Sequence, residues 1–151
     1  MISLSKVSMK KLIDAAENAY PEECCGLLVG SAEYVNNQLI TRIIPSPNLS
    51  SSDTRDSFEV DPKIRLELMR NLSQAKTDET IIGHYHSHPN SEALPSIKDI
   101  SMAYEPELTW VILAVHNGIV SETRAHMVFK DSNRFVEIPL RVVDKVTYPN
   151  T

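Results

Sequence analysis

The fold of this chain is decided by residues 80–99, TIIGHYHSHPNSEALPSIKD. The first six residues, ending at Tyr85, are a β-rich apolar run that is typical of a buried strand. Pro89 cannot donate to a strand ladder and is predicted to end that strand. The Ser96-x-x-Asp99 pattern ahead of further apolar residues predicts the start of a helix. The loop between the two elements would fold this helix back over the end of the strand.

Three side chains of this stretch, those of His86, His88 and Asp99, are candidate metal ligands. Side chains alternate between faces along a strand, so the two histidines point the same way with their backbones roughly 7 Å apart. Two imidazoles and one carboxylate suit Zn²⁺ and leave its fourth position open for water, as in catalytic zinc sites. His84 lies on the same face, but its Cα would be about 13 Å from that of His88. We therefore expect one zinc ion per chain and a supporting or structural role for His84.

A hydrolytic zinc site also needs a base, and the candidates lie far upstream. Glu22 and Glu23 precede the apolar run 25–29, which is predicted to be a buried strand. Carboxylates beside such a strand are costly unless they are used or remain solvated. By residue type alone, both glutamates could be surface acids in a turn, and Ser96 could serve only as a helix N-cap.

The combined motif resembles that of a known enzyme family. The pattern E-x-C-G begins at Glu23, H-x-H-P begins at His86, and S-x-x-D begins at Ser96 after six intervening residues. Together they resemble the JAMM (MPN-plus, Mov34/PAD-1-like) zinc metalloprotease motif. The segments 42–48 and 58–62 are also similar to the small stand-alone prokaryotic members, so the resemblance covers nearly the whole chain.

The resemblance implies a role for each motif residue. His86, His88 and Asp99 would bind zinc, Glu23 would act as general base and then general acid, and Ser96 would stabilise the oxyanion. The implied reaction is hydrolysis of the amide bond after the C-terminal Gly-Gly of a ubiquitin-like or sulfur-carrier β-grasp protein. Two alternatives stay open: a zinc amidohydrolase that acts on another small amide, and a non-catalytic MPN scaffold.

Composition is consistent with a compact enzyme. The 151 residues are predicted to form a single domain, 1–151, and the net charge of −5 argues against a nucleic-acid partner. No apolar run approaches the ~20 residues of a membrane span, and charges interrupt the N-terminal segment, which is therefore not a signal peptide. The adjacent Cys24 and Cys25 cannot easily bridge each other, which indicates a reducing, cytoplasmic setting. We expect them to pack as small buried hydrophobes, with thiolate ligation of zinc as the alternative.

The remaining patterns predict the order of the elements. Helices are expected at residues 5–20 and 61–75, the second with Ile64, Leu68, Leu72 and Ala75 on one face. Strands are expected near residues 25–29, 38–44, 58–60, 108–115, 121–129 and 134–143, with a mobile loop at 45–56 and a hairpin turn at Asn117-Gly118. The expected fold class is α/β: a mixed, largely antiparallel sheet flanked by helices, in the cytidine-deaminase-like arrangement that the family resemblance implies.

Overall fold

The computed structural model describes residues 1–31, 37–101, 105, 108–128 and 134–144. In chain order the elements are β1 (Ile2–Ser5), α1 (Lys6–Ala19), β2 (Cys25–Ser31), β3 (Gln38–Ser46), α2 (Pro62–Gln74), β4 (Glu79–Pro89), α3 (Ile97–Ser101), β5 (Thr109–His116), β6 (Ile119–Val128), β7 (Phe135–Ile138) and β8 (Leu140–Val143). None of the helices in these ranges has the length and apolar character needed to cross a bilayer.

The strands form one mixed sheet in the order β7-β6-β5-β4-β2-β3-β1-β8. The pairs β1–β3, β1–β8 and β4–β5 are parallel, and the other four pairs are antiparallel. This confirms the predicted α/β class with a mixed sheet and flanking helices. The β5–β6 hairpin turns at Asn117 and Gly118 with φ of 52° and 83°, as the Asn-Gly pair predicts.

The expected single strand over residues 134–143 is wrong, because Pro139 divides it into β7 and β8. These two strands pair with β6 and β1, at opposite ends of the strand order. Consecutive Cα atoms are only ~3.8 Å apart, so a single linking residue brings the two ends of the sheet together. The Pro139 carbonyl accepts a hydrogen bond from the Ile2 amide at 2.9 Å, which secures the junction. The sheet is therefore strongly curved.

The two long helices cover opposite faces of this sheet. Ser5 caps α1, and the buried Leu12 and Ala16 pack in one cluster with Leu28 and other strand residues. Asp61 caps α2, and Leu68 and Leu72 pack in a second cluster that includes Leu27 and Val29. Neighbouring residues of β2 thus face different helices, as the alternation of a strand requires. Ala75, expected on the buried face of α2, is instead its exposed C-cap.

The segment expected to be a mobile loop is tied to its surroundings. Its first residues, Pro45 and Ser46, extend β3. The Asn48 side-chain amide donates to the carbonyls of Glu23 and Ser57 at 3.1 and 2.9 Å. Residues 58–60 do not form a strand, and only an isolated bridge joins Asn48 to Val60. The segment is therefore anchored directly to the backbone of Glu23.

Candidate functional site

The histidine-bearing strand β4 lies inside the sheet, between β2 and β5. His86 and His88 are two residues apart on it and project from the same face. Asp99 lies in the first turn of α3, which Ser96 caps. The strand and the helix thus supply the three candidate ligands from two separately supported elements.

The three predicted ligands converge closely. The Nε2 atoms of His86 and His88 are 2.9 Å apart, and the Asp99 Oδ2 lies 3.2 Å and 3.1 Å from them. His86, His88 and Asp99 are only 0%, 5% and 4% exposed. Three donor atoms within about 3 Å of one another in a buried pocket are suitably placed to share one metal ion.

Glu23 joins this group through the pairing of β2 with β4. Cys25 is in register with His86, and the Cys24 amide donates to the Ser87 hydroxyl at 2.8 Å. Glu23 is 5% exposed, and one ligand atom each from Glu23, His86 and His88 lies within 4.8 Å of the others. This buried Glu/His/His group could hold a metal ion. The Asp99 Oδ2 also lies within this distance of both imidazoles.

Hydrogen bonding prepares His88 for ligation. Its Nδ1 lies 2.8 Å from the Glu92 carbonyl. A carbonyl can only accept, so this contact places the hydrogen on Nδ1 and leaves the Nε2 lone pair directed at the triangle. Burial lowers the pKa of His88, but the Asp99 carboxylate and the Glu92 carbonyl outweigh it and raise that pKa overall. For Asp99, burial favours protonation, yet the adjoining imidazoles of His86 and His88 and the hydrogen bond from the Ser96 amide hold its pKa well below the usual range.

His86 is oriented by aromatic packing. Its ring stacks on Phe58 with centroids 4.2 Å apart and an interplanar angle of 16°, and its edge faces Trp110 at 5.8 Å. Its buried Nδ1 has no hydrogen-bond partner within the described ranges. Burial lowers the pKa of His86, which favours the neutral, ligating form. Ligating histidines usually donate through their second nitrogen, so here the stacked Phe58 has the orienting role.

Glu23 is a buried acid beside the candidate ligands. Burial raises the pKa of its carboxyl to about 8, although the nearby His88 acts in the opposite direction. Its Oε2 is buried without a hydrogen-bond partner in the part of the chain that the structure describes. A buried carboxylate oxygen left free beside a ligand triangle is available to a water molecule or to a substrate.

Ser96 and Asp99 cap α3 reciprocally. The Asp99 amide donates to the Ser96 Oγ at 3.1 Å, and the Ser96 amide donates to the Asp99 Oδ2 at 2.9 Å. This confirms the predicted N-cap. The Ser96 hydroxyl hydrogen remains available, because the capping bond uses only a lone pair of the oxygen.

His84 and the cysteines lie beside the convergent group. The His84 ring packs between Phe58 and Trp110, with its centroid 6.5 Å from that of His86, and burial lowers its pKa to about 3. Cys24 and Cys25 are free thiols. Burial raises their pKa values to about 11 and about 12, which disfavours the thiolate that would bind a metal. Cys25 packs as a buried hydrophobe, as expected, whereas Cys24 is only partly buried against the core.

The site opens into a cavity of about 350 Å³. Its lining comprises Glu23, Arg55, Asp56, His88, Pro89, Ser91, Glu92, Leu94 and Ser96. Sequence reasoning missed Arg55 and the Glu92 carbonyl. Every residue has a carbonyl, so no residue type could signal the contact with His88. The sequence did mark Phe58, because it belongs to a segment that resembles the family. The packing of its ring on His86 could not be predicted from that resemblance.

Comparison with known proteins identifies the family. The sequence profile described as prokaryotic homologs of the JAB domain matches residues 5–129. The chain belongs to this JAB family. This match confirms the family resemblance noted from the sequence.

Two relatives have names that state an activity, and one solved structure shares the fold over nearly the whole chain. The chain is 28% identical over 134 residues to the CysO-cysteine peptidase of Mycobacterium tuberculosis, covering 89% of this chain and 86% of the relative. It is 30% identical over 92 residues to the desampylase of Haloferax volcanii, covering 61% and 62%. The solution structure of protein DSY2949 from Desulfitobacterium hafniense superposes with a TM-score of 0.82 at 26% identity, covering 97% and 95% of the two chains.

Proposed function

We propose that this JAB domain is a zinc-dependent peptidase. It would hydrolyse the amide bond that follows the C-terminal Gly-Gly of a ubiquitin-like or sulfur-carrier β-grasp protein. The observation that carries the proposal is the buried Glu23 carboxylate, with a free oxygen, beside the convergent His86, His88 and Asp99 at the floor of an open cavity.

The donor set fits zinc. In this proposal His86 and His88 bind through Nε2, and Asp99 binds through Oδ2. Two neutral imidazoles and one carboxylate match the three-ligand sets of catalytic zinc sites. When bound, the ion would supply Lewis-acid activation of a water molecule and of the substrate carbonyl. The Glu92 carbonyl on His88 and the Phe58 ring on His86 support this set by holding both imidazoles in ligating orientations.

Glu23 and Ser96 would perform the proton and charge chemistry. The Glu23 carboxylate takes a proton from the attacking water and gives it to the nitrogen of the leaving amine, so that the C–N bond breaks and a carboxylate and an amine result. The Ser96 hydroxyl donates to the oxygen on which negative charge develops. Both residues line the cavity, which supports their access to one substrate carbonyl.

The cavity favours a slender substrate. A volume of about 350 Å³ accepts a few residues of extended chain but excludes a folded domain. Glycines at the cleavage point suit such a site, because a chain without Cβ atoms can approach the buried ligands closely. The names of the mycobacterial and haloarchaeal relatives support a carrier or modifier protein as the donor of that tail.

The test is intact mass spectrometry of a β-grasp carrier extended beyond its Gly-Gly, incubated with zinc-loaded protein. We expect loss of the mass beyond Gly-Gly. Glu23→Gln should keep zinc and lose a factor of about 10² to 10⁴ in turnover, Asp99→Asn should lose zinc, and Glu22→Gln should behave as wild type. A carrier left intact by the zinc-loaded protein would reject the proposal. Hydrolysis of small amides alone would favour an amidohydrolase, and carrier binding without hydrolysis would favour a scaffold.

A further inference from the structure

A cationic side chain lies in the wall of the cavity, and none of the proposed steps uses it. Arg55 lines this cavity together with Glu23, His88 and Ser96. Its segment is anchored on both sides of the site. The Glu23 amide donates to the Thr54 carbonyl at 2.8 Å, and the Lys98 ammonium of α3 pairs with Asp56 at 2.9 Å. Arg55 is therefore held between the segment that carries the base and the helix that carries Asp99.

The side chain of Arg55 is 67% exposed, and its guanidinium pairs with Asp53 through one side of its fork. Its Nε and Nη2 donate to the two carboxylate oxygens of Asp53, each at 3.1 Å. A guanidinium has five N–H donors, and this pair uses one on Nε and one on Nη2. The donors on Nη1 and the second hydrogen on Nη2 remain free to bind another group. Asp53 is the one ion-pair partner of Arg55 found in the described ranges. The remaining edge has the parallel donors that bind a carboxylate in bidentate fashion.

The charges around this edge are mixed. Asp53 is paired with Arg55, and Asp56 is paired with Lys98. Glu23 and Glu92 are the acids of the lining without a cation partner among the residues that the structure describes, and negative charge on them limits the attraction for an anion. The cavity wall thus combines one partly free guanidinium with one acid that is paired to a lysine and two acids that are not. Binding of an anion here would depend on the directed N–H donors of Arg55.

We propose that Arg55 binds the terminal carboxylate of the segment released by cleavage. This inference rests on the proposed function and narrows its substrate to carriers that end one or two residues after Gly-Gly. On hydrolysis the glycine carbonyl carbon gains OH from water, the nitrogen of the leaving residue gains H, and the C–N bond between them breaks. The carboxylate of a single leaving residue is only two bonds from that nitrogen, or roughly 2.5 Å. A conjugate linked through a lysine side chain presents no free carboxylate so near the reacting bond.

The experiment compares two carriers that differ in one group. Both end in Gly-Gly-Cys, one with a free carboxylate and the other with a C-terminal carboxamide, and each is incubated with the zinc-loaded full chain. We expect wild type to have a kcat/KM for the acid at least about tenfold above that for the amide, as a charge-assisted bidentate contact implies. Arg55→Gln should bring this ratio to about one by slowing the acid alone. Binding of both carriers to Glu23→Gln should show the same preference without turnover.

The matched control is Arg42→Gln, which removes a guanidinium paired with Glu79, away from the cavity. It should keep the wild-type ratio. A wild-type ratio near one, or a ratio unchanged in Arg55→Gln, would overturn the role of Arg55 while leaving the peptidase intact. Failure of the wild type to cleave either carrier would instead remove the proposed function, and this inference with it.

Discussion

Substitution of Glu23 by glutamine should lower turnover by a factor of about 10² to 10⁴ and at the same time stabilise the metal-free protein. Glu23 is 5% exposed, and burial raises the pKa of its carboxyl to about 8 from the usual 4.5. Below about pH 4.5 the carboxyl is protonated in both the folded and the unfolded chain, so it has no net effect. Above that pH the unfolded chain ionises first, and each pH unit lowers the free energy of unfolding by about 1.4 kcal/mol until about pH 8.

The size of this destabilisation follows from the pH range between the two pKa values of the Glu23 carboxyl. At pH 7 the unfolded chain has passed its pKa by about 2.5 units, so the buried carboxyl costs the folded state about 3 kcal/mol. At pH 5 the cost is below about 1 kcal/mol by the same relation. Glutamine has nearly the same shape and does not ionise, so Glu23→Gln should recover this free energy. A functional residue that destabilises its own fold is a common result of the trade-off between stability and activity.

The assay is urea unfolding of chelator-treated protein at pH 5 and pH 7. The free energies of unfolding of Glu23→Gln and wild type should nearly coincide at pH 5 and differ by about 3 kcal/mol at pH 7, with the variant more stable. Glu22→Gln is the matched control, because Glu22 is exposed one residue away and should change stability by less than about 0.5 kcal/mol. A Glu23→Gln variant that is no more stable than wild type at pH 7 would refute the reasoning.

Three further substitutions test the site and the core. Phe58→Leu keeps an apolar side chain but removes the ring stacked on His86, so zinc affinity measured by competition with a chelating dye should fall about tenfold. Unchanged zinc affinity would mean that the stacking does not orient His86. Ser96→Ala should lower both kcat and the melting temperature, whereas Ser96→Asp should restore the helix cap but not kcat; recovery of kcat in Ser96→Asp would reduce Ser96 to a cap. Leu12→Ala leaves a cavity under α1 and should lower the free energy of unfolding by about 3 kcal/mol with zinc content unchanged, and a loss below about 1 kcal/mol would contradict its burial in the core.

Much of the fold could be predicted because it depends on local patterns. The capping residues Ser5 and Asp61 mark both long helices, and the Asn117-Gly118 pair marks the hairpin, through interactions within a few residues of sequence. Pro139 was a local signal for the division of residues 134–143, of the same kind as Pro89 at the end of β4, and it was missed. The pairing of β7 and β8 with strands at opposite ends of the sheet had no such signal. That choice depends on the closure of the whole sheet, and the alternation of residues 134–143 holds no information about it.

The candidate site divides in the same way. By itself, the sequence determined that His86 and His88 share a face and that Asp99 starts a helix, because a strand period and a helix cap are short-range properties. Only the tertiary structure decided that Glu23 lies beside them, since this requires β2 to pair with β4 in one register. The tertiary structure also decided which nitrogen of His88 carries the hydrogen and that Arg55 lies in the cavity wall. Both depend on the conformations of loops, which have no regular period that a sequence pattern could reveal.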